Sequence, residues 1–427
     1  MEFSRMDTER LTRIKAELEK KYNDFKDRGL KLDMSRGKPA TEQLDMVSDI
    51  LDVLGKDDYK TPAGVDCRNY GIPLGINEIR QLFAEVFGVQ AKNVIVGGNS
   101  SLNMMYDCIS QGMTHGFGEG PWCEVKNRKF LCPCPGYDRH FAVTEYFGFE
   151  LIPVKMLATG PDMDEIRRLC ENDPTVKGVW CVPKYSNPTG ITYSKEVVEE
   201  FAALKPAAKD FRIFWDNSYF IHDLNDTSDR LYNIFDACRK SGNEDIVLSF
   251  TSTSKITFPG SGVAALAASD FNISLIEKRI AVQTIGPDKI NQLRHLKYFV
   301  DLDGMKLRMR QHAAKIKPKF EIVLNAFDKE LAGKEIARWT TPNGGYFISL
   351  DVMPGCAKRV QELCSDAGVT LTPAGSAFPY GHDPNDENIR IAPSFPLESE
   401  LKDAVELLCI AIQLAACEKL IKSKGEK

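Results

Sequence analysis

From about residue 94 the chain alternates between short apolar runs and segments of helical periodicity. Asn93–Gly98 reads as a strand entering a turn, with a helix starting at Ser100. Phe130–Cys132, Phe149–Met156, Gly178–Val182, Arg212–Asp216, Ile246–Phe250 and Val263–Ala268 read as further strands. Helical patterns fill Asp138–Phe147, Met163–Glu171 and Lys195–Leu204. Apolar strands with helices between them predict a mostly parallel seven-stranded sheet, sandwiched by helices on both faces.

The flanks read differently. Residues 9–26 form a charged amphipathic pattern, followed by an irregular stretch, LDMSRGKPATEQLDM. Residues 289–331 carry long helical periodicity with charges spaced for a solvated face. Then come a strand at Gly345–Val352, a helix near Lys358–Asp366, short strands at Val369–Leu371 and Ile389–Ile391, and a final helix from Leu397. This predicts an α/β protein with a large domain over residues 50–300. A smaller α+β domain is expected from residues 1–49 and 301–427, the N-terminal helix packing on the C-terminal block.

Composition narrows the function. Apolar residues at 43% and charged residues at 27% describe a globular chain and exclude disorder or collagen-like repeats. With 55 Lys+Arg against 60 Asp+Glu, the net charge of −5 argues against nucleic-acid or membrane-surface binding. The 12 cysteines include no CxxC pair and the six histidines no HExxH, so no metal site is indicated. The N-terminal segment mixes both charge signs and lacks an apolar h-region. The longest apolar stretch, Val405 to Cys417, is interrupted by Gln413 and is shorter than the ~20 residues a bilayer needs. The expected location is the cytoplasm.

The chemistry-bearing residues gather at predicted strand ends, where open α/β sheets place ligands. Ser252-Thr253-Ser254-Lys255 follows the strand Ile246–Phe250. A lysine there is either a Schiff-base amine or an ordinary loop residue. Asp216 ends a very apolar strand, Phe214-Trp215-Asp216, and Tyr219 follows in the same turn. That acid either has a cationic partner or caps a helix. Ser186-Asn187-Pro188-Thr189-Gly190 and Gly97-Gly98-Asn99-Ser100-Ser101 are further strand-end turns. The second, leading into a helix, suits either a phosphate or a simple cap. No GxGxxG is present, so a Rossmann dinucleotide site is not indicated.

Taken together and in this order, the four turns resemble the fold type I pyridoxal-phosphate enzymes, specifically class I aminotransferases. The resemblance runs from about Asp33 to Arg390. MSRGKP, NYGIPLG, PGYDRHF and SKITFPGSG look closer still to a bacterial aspartate aminotransferase-like subgroup.

The resemblance implies a role for each position. Lys255 would bind pyridoxal 5'-phosphate covalently and then carry the proton between substrate and cofactor. Asp216 would pair with the pyridine nitrogen, which His140 supports in some members. Asn187 and Tyr219 would bond the phenolic oxygen, and Tyr137 would stack on the ring. Asn99, Ser100 and Ser252 would hold the phosphate. Tyr70 from a partner subunit would join them, implying a homodimer. Arg390 would clamp the substrate α-carboxylate, with Gly37 beside it. The substrates would be an amino acid, aspartate or glutamate foremost, and a 2-oxo acid.

Two departures stand out. Where the family carries a phosphate-binding arginine about seven residues after the lysine, this chain has Gly262. The distal-carboxylate arginine has three candidates, Arg36, Arg279 and Arg139, with Arg36 favoured because it precedes Gly37. A lyase or decarboxylase on the same fold shares these residues and stays open. A ligand-sensing regulator is disfavoured, because only some 30 residues precede Met34 and the chain is acidic.

Overall fold

The computed structural model describes residues 2–425. Its strands are β1 (Leu32–Asp33), β2 (Val94–Val96), β3 (Lys129–Cys134), β4 (Glu150–Leu157), β5 (Gly160–Pro161), β6 (Val176–Cys181), β7 (Arg212–Asp216), β8 (Val247–Ser252), β9 (Ala264–Ala268), β10 (Ala337–Trp339), β11 (Ile348–Val352), β12 (Val369–Thr370) and β13 (Asn388–Ile391). The central sheet has the order β2-β9-β8-β7-β6-β3-β4-β5. Strands β8, β7, β6, β3 and β4 run parallel, and β9 lies antiparallel between β2 and β8.

All seven predicted strands are present, and the sheet has an eighth. Gly160, at φ +135°, turns the chain back so that Gly160–Pro161 pairs antiparallel with the end of β4. Two residues without apolar alternation leave no periodic signal.

The pleat explains why these strands are apolar on both faces. Phe130, Cys132, Trp180, Phe214, Leu248 and Leu266 pack into one core, and their neighbours Leu131, Val179, Ile213, Trp215, Val247 and Ala265 into another. Successive side chains point to opposite faces, so a sheet covered on both sides is apolar at most positions on either face. Each large side chain buried in this way is worth about 1.5–3 kcal/mol.

The two chain ends build the remainder. The helix Thr8–Asp27 packs along Glu398–Gly425, and Tyr22 Oη donates to the Leu363 carbonyl at 2.9 Å. β1 pairs in parallel with β12, although the sequence there reads as irregular, and a short helix Thr41–Asp45 follows. A three-stranded antiparallel sheet, β10-β11-β13, includes β10, which the apolar pattern does not reveal. The periodicity of residues 289–331 resolves into two helices, Lys289–Phe299 and Leu302–Glu330. Val300 breaks them at φ +68°, and Asp301 caps the second by accepting from the Gly304 amide at 2.8 Å. No helix among the described residues is long and apolar enough to cross a membrane.

Candidate active site

The carboxyl ends of four adjacent parallel strands, β8, β7, β6 and β3, deliver the central residues of the site. After β8 the chain makes a tight turn in which the amides of Ile256 and Thr257 donate to the Thr253 carbonyl at 2.8 and 2.9 Å. Lys255 sits in this turn, half-buried. Its Nζ lies 5.0 Å from the Tyr219 ring centroid and 5.9 Å from that of Tyr346. No carboxylate of the described residues reaches ion-pairing distance. Burial lowers the amine below its ordinary pKa, and the charge of Asp216 opposes this only in part. Desolvation of this kind favours the neutral, nucleophilic form of the amine.

Asp216 ends β7 and is 4% exposed. Its Oδ2 lies 2.9 Å from His140 Nε2, and Ser218 Oγ donates to its Oδ1. His140 is buried and stacked on Trp180, ring centroids 4.5 Å apart. It is therefore the partner of the aspartate and not a surface histidine. Tyr137 packs against the edge of His140 at 4.8 Å. Burial, with the nearby Asp216 charge, pushes its phenol up to about 12. Tyr219 is raised well above its usual value, first by burial and then by Tyr137 and Asp216, so it stands as a neutral donor.

β13 brings Arg390 to the same place. Its Nη1 donates to Asp138 Oδ1 at 2.9 Å and to Asn187 Oδ1 at 3.4 Å, while its Nε is buried without a partner. Asn187 is buried at the end of the β6 loop. The Phe347 ring lies 5.1 Å from the guanidinium carbon. Gly37 faces the same ring so closely that a Cβ would sit 2.1 Å from Phe347 Cζ.

On the other flank, Ser100 precedes the helix Ser101–His115 without capping it. Ser252 Oγ donates to Ser254 Oγ, which donates to the Asn99 carbonyl, both at 3.1 Å. The Asn99 side-chain amide is engaged by the carbonyls of Pro259 and Gly260 at 3.1 and 3.2 Å. Where an arginine was expected, Asn291 Nδ2 ties down the carbonyls of Ser261 and Gly262 at 3.0 and 2.9 Å. A Cβ on Gly262 would already be 3.1 Å from Thr253 Oγ1.

Tyr70 does not join this cluster within the chain. It is 81% exposed, on a loop whose Asn69 and Gly71 carbonyls accept from the buried Lys289 ammonium at 2.6 and 2.9 Å. Arg36 is exposed and pairs through Nε with Asp33 at 2.8 Å. Arg279 is held by Asp107 at 3.0 Å, and Arg139 is exposed.

Sequence reasoning missed Asp138, Tyr346, Phe347 and His222. Asp138 is the fourth letter of PGYDRHF and was legible as a carboxylate at a strand end. His222 is 1% exposed and packs edge-on against Tyr219 at 5.4 Å, and no protein group bonds either ring nitrogen. Burial and the neighbouring Lys255 hold it neutral. Nothing in its sequence surroundings marks it.

The family model of aspartate amino-transferase matches residues 6–424. The chain belongs to the aspartate aminotransferase family. The aspartate aminotransferase of Corynebacterium glutamicum is 45% identical over 414 residues, covering 96% of each protein. A Mycolicibacterium smegmatis protein named as an aminotransferase is 47% identical over 410 residues, covering 95% of this chain and 96% of that one. The crystal structure of an aspartate transaminase from Corynebacterium glutamicum superimposes with a TM-score of 0.96 at 44% identity, covering 98% of this chain and 99% of that one. This aminotransferase has the fold type I architecture, and its family implies dependence on pyridoxal phosphate. Its residues fit that group. They offer a desolvated lysine, a buried acid whose Oδ2 faces His140, neutral phenols, and a helix start flanked by free hydroxyls.

Proposed function

We propose that this aminotransferase moves the amino group of aspartate or glutamate to a 2-oxo acid, with pyridoxal phosphate held on Lys255. The observation that carries the reading is the pairing of opposites in one site. A lysine with a lowered pKa stands against Tyr219, and an acid clamped by His140 ends the neighbouring strand. When bound, the cofactor supplies an electron sink for the substrate Cα–H bond. Asp216 would keep the ring nitrogen protonated, held in place by His140 and Ser218. Tyr219 and Asn187 would donate to the phenolic oxygen, and Tyr137 would cover the ring. Lys255, once released, would take the Cα proton and return it to the cofactor's C4′ carbon, a 1,3-shift.

The phosphate would rest on the start of the helix Ser101–His115, with the hydroxyls of Ser100 and Ser252 and the Asn99 backbone amide. Tyr70 would complete this cup from a second subunit, making the working unit a homodimer. Arg390 would exchange Asp138 for the substrate α-carboxylate beside Gly37. Arg36, freed from Asp33, would take the distal carboxylate. Residues 1–49 and 301–427 would then act as the small domain that carries both arginines.

The test is borohydride reduction of the cofactor-loaded enzyme followed by peptide mapping. The label is expected on Lys255, and Lys255→Ala should take up no label and lose transamination. A label on another lysine overturns the assignment.

A further inference from the structure

The Lys255 turn is tied to the substrate-side segments by a chain of buried polar groups. His312, on the helix Leu302–Glu330, places Nε2 2.9 Å from the carbonyl oxygen of Ile256, the residue after the lysine. Its Nδ1 lies 3.2 Å from Gln43 Nε2. The same Gln43 nitrogen lies 3.1 Å from Tyr346 Oη, and Gln43 Oε1 accepts from the Ala40 amide at 3.1 Å. Gln43 is 1% exposed, and His312 and Tyr346 are fully buried.

The direction of each bond is forced. A carbonyl oxygen only accepts, so His312 carries its proton on Nε2. An amide nitrogen only donates, so Nδ1 must accept, and the imidazole is neutral. A second ring proton would set N–H against N–H. Burial lowers the His312 pKa in keeping with this. The amide protons of Gln43 divide between Nδ1 and Tyr346 Oη, and its oxygen is fixed by Ala40.

The segments joined this way are the ones a transamination site must coordinate. Gln43 lies shortly after Gly37, on the helix Thr41–Asp45. Tyr346 precedes Phe347, which packs on both Gly37 and Arg390. The chain reaches the lysine from two directions, through the backbone at Ile256 and through the Tyr346 ring, 5.9 Å from Nζ.

We propose that Gln43 and His312 are positioning residues that set where Lys255 stands and transmit the seating of a substrate carboxylate at Arg390 to the lysine turn. This rests on the reading of Lys255 as the cofactor-bearing amine. Neither residue touches the reacting atoms. Each acts by holding a polar group whose displacement would move the lysine.

The test uses the cofactor-loaded enzyme and the variants Gln43→Met, His312→Phe and His312→Gln. Borohydride labelling is done first on the wild type; a label away from Lys255 removes the functional reading itself, a failure distinct from failure of the relay. The pH midpoint of the visible absorbance band is then measured with and without succinate, a dicarboxylate that cannot react. Gln43→Met and His312→Phe should shift the free-enzyme midpoint by about half a pH unit or more and reduce its response to succinate. They should lower kcat by about tenfold while leaving KM within about twofold. His312→Gln retains an amide donor able to reach the Ile256 carbonyl and should recover most of the midpoint. If His312→Phe does not fold, Gln43→Met carries the test. Wild-type midpoints and succinate response in Gln43→Met, with kcat within about twofold, overturn the proposal.

Discussion

Replacing Gly37 by alanine places a methyl group where Phe347 already stands. The new Cβ would lie 2.1 Å from Cζ and 2.3 Å from Cε1 of that ring. Carbon atoms pack at about 3.5 Å, so the ring tip has to retreat by about 1.4 Å. Gly37 is not in the left-handed region, so alanine costs nothing through the backbone and the effect is steric alone. Phe347 is 5% exposed, and its ring lies 5.1 Å from the Arg390 guanidinium. Displacing the ring therefore displaces the arginine proposed to take the α-carboxylate. A charge-assisted pair of this kind is worth about 1.5–3 kcal/mol, and losing its geometry should lower kcat/KM by about 10- to 150-fold. Every amino acid carries the α-carboxylate, so aspartate and alanine should suffer alike. The assay is kcat/KM for both donors with a common 2-oxo acid. Phe347→Leu in the Gly37→Ala background, which removes Cζ, should restore part of the loss. A fall of less than about threefold, or a loss confined to aspartate, would refute the reasoning.

Three further expectations follow from other parts of the molecule. Arg36→Ala should reduce kcat/KM for aspartate by about tenfold or more and spare alanine, since only the dicarboxylate loses a partner; equal losses would move the role to Arg279 or Arg139. Asp210 binds buried Lys177 at 2.8 Å and accepts from Trp122 Nε1 at 2.7 Å, so Asp210→Ala should cost about 3–5 kcal/mol in denaturant unfolding, and a cost under about 1 kcal/mol would show the pair to be dispensable. Burial alone would raise the Asp173 carboxyl, but hydrogen bonds from Lys129 and Thr175 outweigh it and take it down to about 2. Its folded pKa lies below the unfolded one, so its stabilisation is full above about pH 4 and fades as pH falls toward 2. Asp173→Asn should flatten the acid decline of Tm, and parallel Tm curves for the two proteins would contradict this.

The central sheet was legible because covering both faces forces predominantly apolar runs, as in Ile213-Phe214-Trp215 and Ala264–Ala268. β12 was read as a short strand, but β1 was harder, because Leu32–Asp33 is a strand only by virtue of pairing with Val369–Thr370. The helix break at Val300 was hidden, since a residue driven to φ +68° by its surroundings carries no glycine to announce it. In the site, Lys255, Asp216 and Asn187 were visible as polar residues at the ends of apolar strands. Arg390 and His140 were reached through the family resemblance, and only the fold brings His140 within 2.9 Å of Asp216. Gln43, His312 and Tyr346 gave no signal. Each is a common polar residue in an ordinary amphipathic context, and its meaning comes from partners far away in sequence.

The pairing of β1 with β12 also sets a timetable. Leu32 and Asp33 leave the ribosome early, yet their partners Val369 and Thr370 are made near the end of translation. Ser35 waits likewise for Thr372, 337 residues downstream, whose hydroxyl donates to its carbonyl. At roughly 5–20 residues per second, that interval is on the order of 20–70 s. Throughout it the leading segment has no strand to join. The central sheet, complete by Ala268, is free to form first. The nascent protein can therefore bring Lys255 and Asp216 together well before Arg36 and Arg390 are held in place. Arg36 and Gly37, which follow β1 directly, wait through the same interval for their seats.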